Sequence, residues 1–170
     1  VDPDTLVTCN IGLDHPPFGR VSTAGGNIYF PVFDPDAQTA KVWRLSADGE
    51  QIPLEFTTIT MTQPAPYDFI LSEDDSRIVW AWNKVNAETD PPLFRNNLRI
   101  ANVDGSNQIV VMDQAENSEG RFVVPVRFSA DGSTFFYTLQ PDIGGPIFSG
   151  RFDTLYSIPS GGGDTRFMYG

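Results

Sequence analysis

The sequence predicts an all-β protein built from three four-stranded antiparallel units. Hydrophobic residues make up 40% of the chain and charged residues 19%, while 15 glycines and 14 prolines interrupt it, which is typical of turn-rich β structure. Two kinds of turn recur about every 57 residues, and an apolar strand follows each turn of the first kind. The chain therefore repeats one supersecondary unit three times.

The first recurring turn begins at a serine. Ser22, Ser72 and Ser129 each open a short stretch of small residues that runs into an apolar strand. The segment before each serine is the first strand of its unit. We predict these first strands at Gly19 to Val21, Asp68 to Leu71 and Val124 to Phe128.

The second strand of each unit carries the strongest apolar signal. Its residues are almost continuously apolar instead of alternating, which indicates a strand covered on both faces by neighbouring sheets. The three runs are Ile28 to Phe33, Ile78 to Trp82 and Phe135 to Leu139.

The third and fourth strands of each unit flank the second recurring turn. This turn is Asp48-Gly49, Asp104-Gly105 or Gly161-Gly162, and glycine suits it because a tight hairpin needs positive φ. The third strands alternate apolar with polar residues and are less enclosed. They are predicted at Val42 to Leu45, Leu98 to Val103 and Leu155 to Ile158, and the fourth strands at Ile52 to Phe56, Ile109 to Met112 and Arg166 to Tyr169.

A repeated four-stranded meander with two buried faces is the pattern of a β-propeller blade. We predict an N-terminal edge segment at residues 1–16 and blades at residues 17–60, 66–113 and 122–170. Propellers close with about four to eight blades, so three blades form a partial propeller with two apolar faces in water. The chain is therefore expected to be a fragment, to be completed by other chains, or to assemble with copies of itself.

One segment resembles a known repeat family. Phe128-Ser-Ala-Asp-Gly-Ser-Thr-Phe-Phe-Tyr137 is similar to the signature of TolB-like, WD40-like PD40 repeats, and Leu98 to Asn107 is similar to the later part of that repeat. The second unit departs from the signature by having Asp75 where the family prefers glycine, and the first unit is the poorest match. The resemblance implies a propeller in a periplasmic or extracellular setting.

Charge and composition exclude some functions. The formal charge of −11 repels phosphate backbones, which disfavours nucleic-acid binding. No apolar stretch reaches the roughly 18 residues of a membrane helix, so the chain is expected not to span a membrane. A start at Val1 instead of methionine fits a processed, exported chain, and the single Cys9 is expected to be a buried thiol or an interchain bridge.

The sequence offers no convincing catalytic, metal or cofactor site. The single histidine, His15, lies in a proline-rich loop, so a Ser-His-Asp triad is disfavoured. One histidine and one cysteine do not build a zinc centre. The acids at Asp2 and Asp4, and at Asp34 and Asp36, do not continue into a calcium-binding loop and are interpreted as solvated turn acids. We expect no enzyme activity and no cofactor.

The loops between second and third strands are the predicted binding surface, because a rigid blade can present variable loops. Residues 83–97 and 140–153 each hold an apolar tip that ends on arginine. Aromatic and arginine side chains dominate protein interfaces. The candidates are Phe94, Arg95, Phe148 and Arg151; alternatively, the phenylalanines fold back over the blade and the arginines pair with acids.

Three functions follow as hypotheses. The first is a non-catalytic exported scaffold that binds a protein partner or copies of itself. The second is the propeller part of a larger hydrolase, because the repeats also resemble the propellers of prolyl-oligopeptidase-like peptidases. The third is a carbohydrate-binding propeller that uses Trp43, Trp80 and Trp82 as stacking surfaces.

Overall fold

The computed structural model describes residues 21–61, 67–86, 88, 90, 93–113, 120–141 and 154–170. These residues form strands and one short 3-10 turn at Glu55–Thr57. The strands are β1 (Ser22–Ala24), β2 (Asn27–Asp34), β3 (Thr39–Leu45), β4 (Gln51–Pro53), β5 (Ile59–Thr60), β6 (Tyr67–Leu71), β7 (Arg77–Asn86), β8 (Leu93–Asn102), β9 (Ile109–Asp113), β10 (Arg121–Phe128), β11 (Thr134–Pro141), β12 (Leu155–Pro159) and β13 (Arg166–Tyr169).

The strands form three antiparallel meanders. Sheet 1 has the order β1-β2-β3-β4, with β5 also paired to β3; sheet 2 has the order β6-β7-β8-β9; sheet 3 has the order β10-β11-β12-β13. The all-β class is therefore confirmed, and so are the antiparallel four-stranded sheets 2 and 3, whereas sheet 1 has β5 as a fifth strand. The described residues do not form a closed propeller.

The glycine turns lie where the sequence predicts them, between the third and fourth strands of each sheet. Gly49, Gly105 and Gly162 have φ values of 91°, 84° and 90°, which residues with a Cβ atom rarely adopt. Each of these glycines donates its backbone N–H to a carbonyl three residues earlier, which closes a tight turn.

The serine turns are alike in sheets 2 and 3 only. In both sheets the serine hydroxyl accepts a backbone N–H across the turn, from Arg77 to Ser72 and from Thr134 to Ser129. In sheet 1 the hairpin is shorter, because Ala24 pairs with Asn27 around Gly25-Gly26. The predicted turn at Ser22 is therefore wrong, because Ser22 lies in β1. Of the first strand predicted at Gly19 to Val21, Val21 is not in a strand, and the other two residues lie outside the described residues.

The predicted fourth strand of the first unit is also too long. The observed strand, β4, ends at Pro53. The chain then turns through Glu55–Thr57, and β5 pairs with β3 after this turn. The buried Thr57 hydroxyl stabilises this turn, because it accepts the Val42 N–H at 2.9 Å and donates to the Leu54 carbonyl at 2.7 Å.

Sheet 2 lies between the other two sheets and has a core on each face. Ile78 and Trp80 on β7 pack toward sheet 1, whereas Val79 and Ala81 pack toward sheet 3. All four side chains are at most 1% exposed. The prediction that this strand is covered on both faces is confirmed.

The outer faces of sheets 1 and 3 differ from the expectation. Alternation along β2 turns Phe30 and Val32 away from sheet 2, yet they are only 2% and 7% exposed. On sheet 3, Val124 and Thr138 also point away from sheet 2 and are buried. The expectation that the outer faces lie in water is therefore wrong at these positions.

Candidate functional site

Of the predicted loop site, the structure describes Phe94 and Arg95. These two residues do not form an exposed loop tip. The β7–β8 hairpin pairs as far as Asn86 and Leu93, so Phe94 lies inside a strand. Its side chain is 5% exposed, and its ring meets that of Phe122 edge-on with centroids 5.3 Å apart. The expectation of an exposed Phe94 is wrong because cross-strand pairing continues into the predicted loop.

Arg95 points outward and pairs with an acid. Its guanidinium lies 2.9 Å from the Asp113 carboxylate, and both side chains are about half exposed. Phe148 and Arg151, like Cys9 and His15, lie outside the described residues. Binding through the loop candidates therefore stays a prediction.

Two of the three tryptophans, Trp80 and Trp82, are not an open stacking platform. Trp80 is 1% exposed, and its ring meets that of Phe56 edge-on with centroids 5.6 Å apart. Trp82 is partly buried, and the Arg99 guanidinium lies 5.3 Å from its ring centre. Their contacts place these two rings in the packing between sheets 1 and 2.

A groove of about 920 Å³ opens between sheets 1 and 2. Sheet 1 lines it with Arg44 and residues 52–56, and sheet 2 lines it with Asp75, Ser76 and residues 102–105. The segment that follows β4 lies here beside two turns of sheet 2, the β6–β7 turn and the β8–β9 turn. Side chains that are distant in sequence therefore line the same groove. Sequence reasoning did not find this groove.

Asp75 is the centre of the polar contacts in the groove. The Tyr29 hydroxyl donates to its Oδ1 at 2.5 Å, and the Asn27 amide donates to its Oδ2 at 3.0 Å. Burial and the Asp75 carboxylate raise the pKa of Tyr29 well above its ordinary value, while Arg44 acts in the opposite direction. Tyr29 is therefore a neutral hydrogen-bond donor that joins sheet 1 to sheet 2.

The backbone of Asp75 has a conformation that favours glycine. Its φ is 58°, and Gly132, which closes the equivalent turn of sheet 3, has a φ of 68°. Gly25 allows the approach of Asp75, because a Cβ atom on Gly25 would lie 2.6 Å from Asp75 Oδ2. The departure from the repeat signature at Asp75 thus coincides with contacts that a glycine could not make.

Tyr29 and Arg44 occupy positions that are apolar in sheet 2. They are cross-strand partners on β2 and β3, and Val79 and Ile100 are the corresponding partners on β7 and β8. Val79 and Ile100 are both 0% exposed and belong to the core against sheet 3. The repeated antiparallel sheet therefore does not require a polar pair here. The Arg44 Nε is buried without a hydrogen-bond partner among the described residues.

Two further carboxylates lie in the groove lining. Both carboxylate oxygens of Glu55 accept hydrogen bonds from Lys41 Nζ, at 2.8 and 3.0 Å. Asp104 accepts the N–H and hydroxyl of Ser106, and these bonds hold its pKa below the ordinary value. Within the described part of the chain, no group of three His, Cys, Asp or Glu side chains is arranged to hold a metal ion.

A second surface of interest is the outer edge of sheet 3. All four residues of β13 are exposed, and Phe167, Met168 and Tyr169 are 59%, 55% and 69% exposed. Large apolar side chains are uncommon along an unprotected edge strand, because such an edge can pair with another chain.

Comparison with known proteins supports the fold class. No family model and no curated protein matches the sequence. Among solved structures, a match comes from a structural and mechanistic analysis of two prolyl endopeptidases, with a TM-score of 0.54 and 15% identity. It covers 90% of this chain and 22% of that chain. The match is to a propeller-containing protein, and at this identity the likeness shows the fold alone.

Among the residues that the structure describes, no helix has the length and apolar character needed to cross a bilayer.

Proposed function

We propose that this chain is a non-catalytic β-propeller module that assembles with copies of itself through the outer edge of sheet 3. The exposed apolar strand β13 carries the proposal. An edge strand presents unpaired N–H and C=O groups, and a second copy could add its own strand there. The proposal includes an exported, periplasmic or extracellular location, which rests on the resemblance to TolB-like repeats.

The corresponding edges of sheets 1 and 2, formed by β4 and β9, are better protected. On sheet 1, β4 is short and ends at Pro53, which has no N–H to donate. On sheet 2, β9 has one strongly exposed apolar side chain, Val110 at 56%, and ends on Asp113. The contrast with β13 supports sheet 3 as the assembling edge.

Analytical ultracentrifugation of the whole chain tests this proposal. The unmodified chain should show concentration-dependent association, and Tyr169→Lys should abolish it because an edge lysine opposes strand pairing. Val110→Lys, on the outer edge of sheet 2, is the matched control and should leave association unchanged. A chain that stays monomeric at every concentration would refute self-assembly.

A second candidate is the propeller part of a larger hydrolase. The fold likeness to a prolyl endopeptidase structure favours it, and the chain spans 22% of that protein's chain. An α/β-hydrolase segment in the full coding sequence, together with peptidase activity of the full protein, would support this candidate. A full-length protein without such a segment would remove it.

A further inference from the structure

We propose that the groove between sheets 1 and 2 binds a protein segment that bears a basic side chain, with Asp104 as its carboxylate partner. This site is separate from the β13 edge and goes beyond self-assembly. Three observations carry the inference: the accessible carboxylate of Asp104, the apolar wall of the groove, and the acidic charge of the whole chain.

Among the described groove carboxylates, Asp104 differs from Asp75 and Glu55 because its side-chain oxygens accept hydrogen bonds only within its own turn. Tyr29 and Asn27 engage both oxygens of Asp75, and Arg44 lies beside Tyr29 in the same cluster. Lys41 pairs with Glu55. No described Lys, Arg or His side chain lies within ion-pair distance of Asp104, whose hydrogen bonds come from Ser106. Asp104 is exposed, so it is the groove carboxylate most accessible to a ligand cation.

The walls of the groove suit a peptide. Ile52, Pro53, Phe56 and Val103 line it and are each partly exposed, so they offer apolar contact area beside the carboxylate. Asn102 adds an amide on the same wall as Asp104. A volume of about 920 Å³ lies within the range of about 300–1,000 Å³ that is usual for ligand pockets, which is enough room for one side chain and its neighbours.

The charge of the whole chain favours the same partner. With 22 acidic and 11 basic residues, its field attracts cationic segments and slows the approach of acidic ones. A basic side chain between apolar neighbours matches both the long-range field and the local groove. An acidic segment matches neither.

Amide chemical-shift mapping on the ¹⁵N-labelled whole chain tests the site. The probe is a short capped peptide with one arginine between leucines, and the matched peptide has glutamine in place of arginine. We expect the arginine peptide to shift the amides of residues 52–56 and 102–105 and to bind about tenfold more tightly than the glutamine peptide, as a charge-assisted hydrogen bond implies.

The variant pair Asp104→Asn and Asp48→Asn decides whether the effect is local. Asp48 occupies the equivalent turn of sheet 1, accepts the Ser46 hydroxyl, and does not line the groove. Asp104→Asn should remove the preference for arginine, and Asp48→Asn should leave it intact. Equal losses in both variants, or shifts spread over the acidic surface, would overturn the proposal.

The β13 proposal is tested independently. Asp104→Asn should leave the association measured by ultracentrifugation unchanged, and Tyr169→Lys should leave peptide binding unchanged. A failure of one proposal is thereby distinguishable from a failure of the other.

Discussion

The two interfaces of sheet 2 use the same strand, β7, in different ways. Toward sheet 3 the contact is mainly apolar, with Val79, Ile100 and Phe135 all fully buried. Toward sheet 1 the core is apolar near Trp80, but the turn end holds the polar contacts of Tyr29 and Asp75. One repeat architecture therefore accepts either kind of contact at equivalent positions.

This difference separates residues that the fold needs from residues that it tolerates. An apolar interface is stabilised in proportion to the surface removed from water, so it has little directional preference. A polar contact requires specific partners, and an unpaired buried donor destabilises the protein. The Tyr29–Asp75 contact, and an Arg44 Nε that has no hydrogen-bond partner in the described part of the chain, thus mark sheet 1 as the more specialised neighbour of sheet 2.

The largest expected effect is at the apolar interface. Phe135→Ala should lower the free energy of unfolding by about 3–5 kcal/mol, because the fully buried ring fills the contact between sheets 2 and 3. Urea denaturation measures the change. Phe167→Ala is the control, since that ring is 59% exposed and should contribute much less. Similar losses in both variants would contradict the assigned core.

The next effect comes from a polar link inside the same interface. The Asn83 amide donates to the Val123 carbonyl at 3.1 Å and accepts the Val123 N–H at 3.0 Å. Asn83→Ala should destabilise the chain by about 2–4 kcal/mol, because it leaves two buried backbone groups unpaired. Gln108→Ala, which removes an exposed amide, serves as the control in the same denaturation assay. A loss no larger than that of the control would refute the link.

A smaller effect is expected at the polar interface. Tyr29→Phe removes the hydroxyl that donates to Asp75 and should cost about 1.5 kcal/mol, as expected for a hydrogen bond to a charged group. A double-mutant cycle with Asp75→Asn isolates the contact. Additive changes in unfolding free energy would show that the two side chains do not stabilise each other.

The smallest expected effect concerns pH and the turn of sheet 3. Hydrogen bonds from Ser129 and Ser133 lower the pKa of Asp131 from 3.8 to about 2. Because the folded-state pKa is below the unfolded value, the ionised carboxylate stabilises the chain above pH about 4, and this contribution is lost as pH falls toward 2. Asp131→Asn should therefore reduce the slope of the thermal midpoint against pH in that window. An unchanged slope would exclude this role.

Local patterns predicted the repeated elements well. The apolar runs at Ile78 and Phe135 lie in β7 and β11, and Gly49, Gly105 and Gly162 close tight turns. These features depend on neighbouring residues, since strand burial and positive φ leave signals within a few positions. The failures occurred where a longer-range contact decided the outcome.

Ser22 and Phe94 illustrate that limit. The first hairpin is shortened by the Gly25-Gly26 turn, which places Ser22 in β1. Strand pairing between β7 and β8 extends past the apolar core, so Phe94 is buried against Phe122 instead of standing at a loop tip. Neither the length of a hairpin nor its neighbour in the next sheet is encoded in a short motif.

The sequence by itself determined the all-β class, the repeated meander and the glycine turns, because each depends on local conformational preference and on apolar periodicity. It also marked Asp75 as a departure from the repeat signature. Only the tertiary structure decided what that departure does, since Tyr29 and Asp75 are 46 residues apart and meet only when sheets 1 and 2 pack together. The groove exists for the same reason: its two walls belong to different sheets.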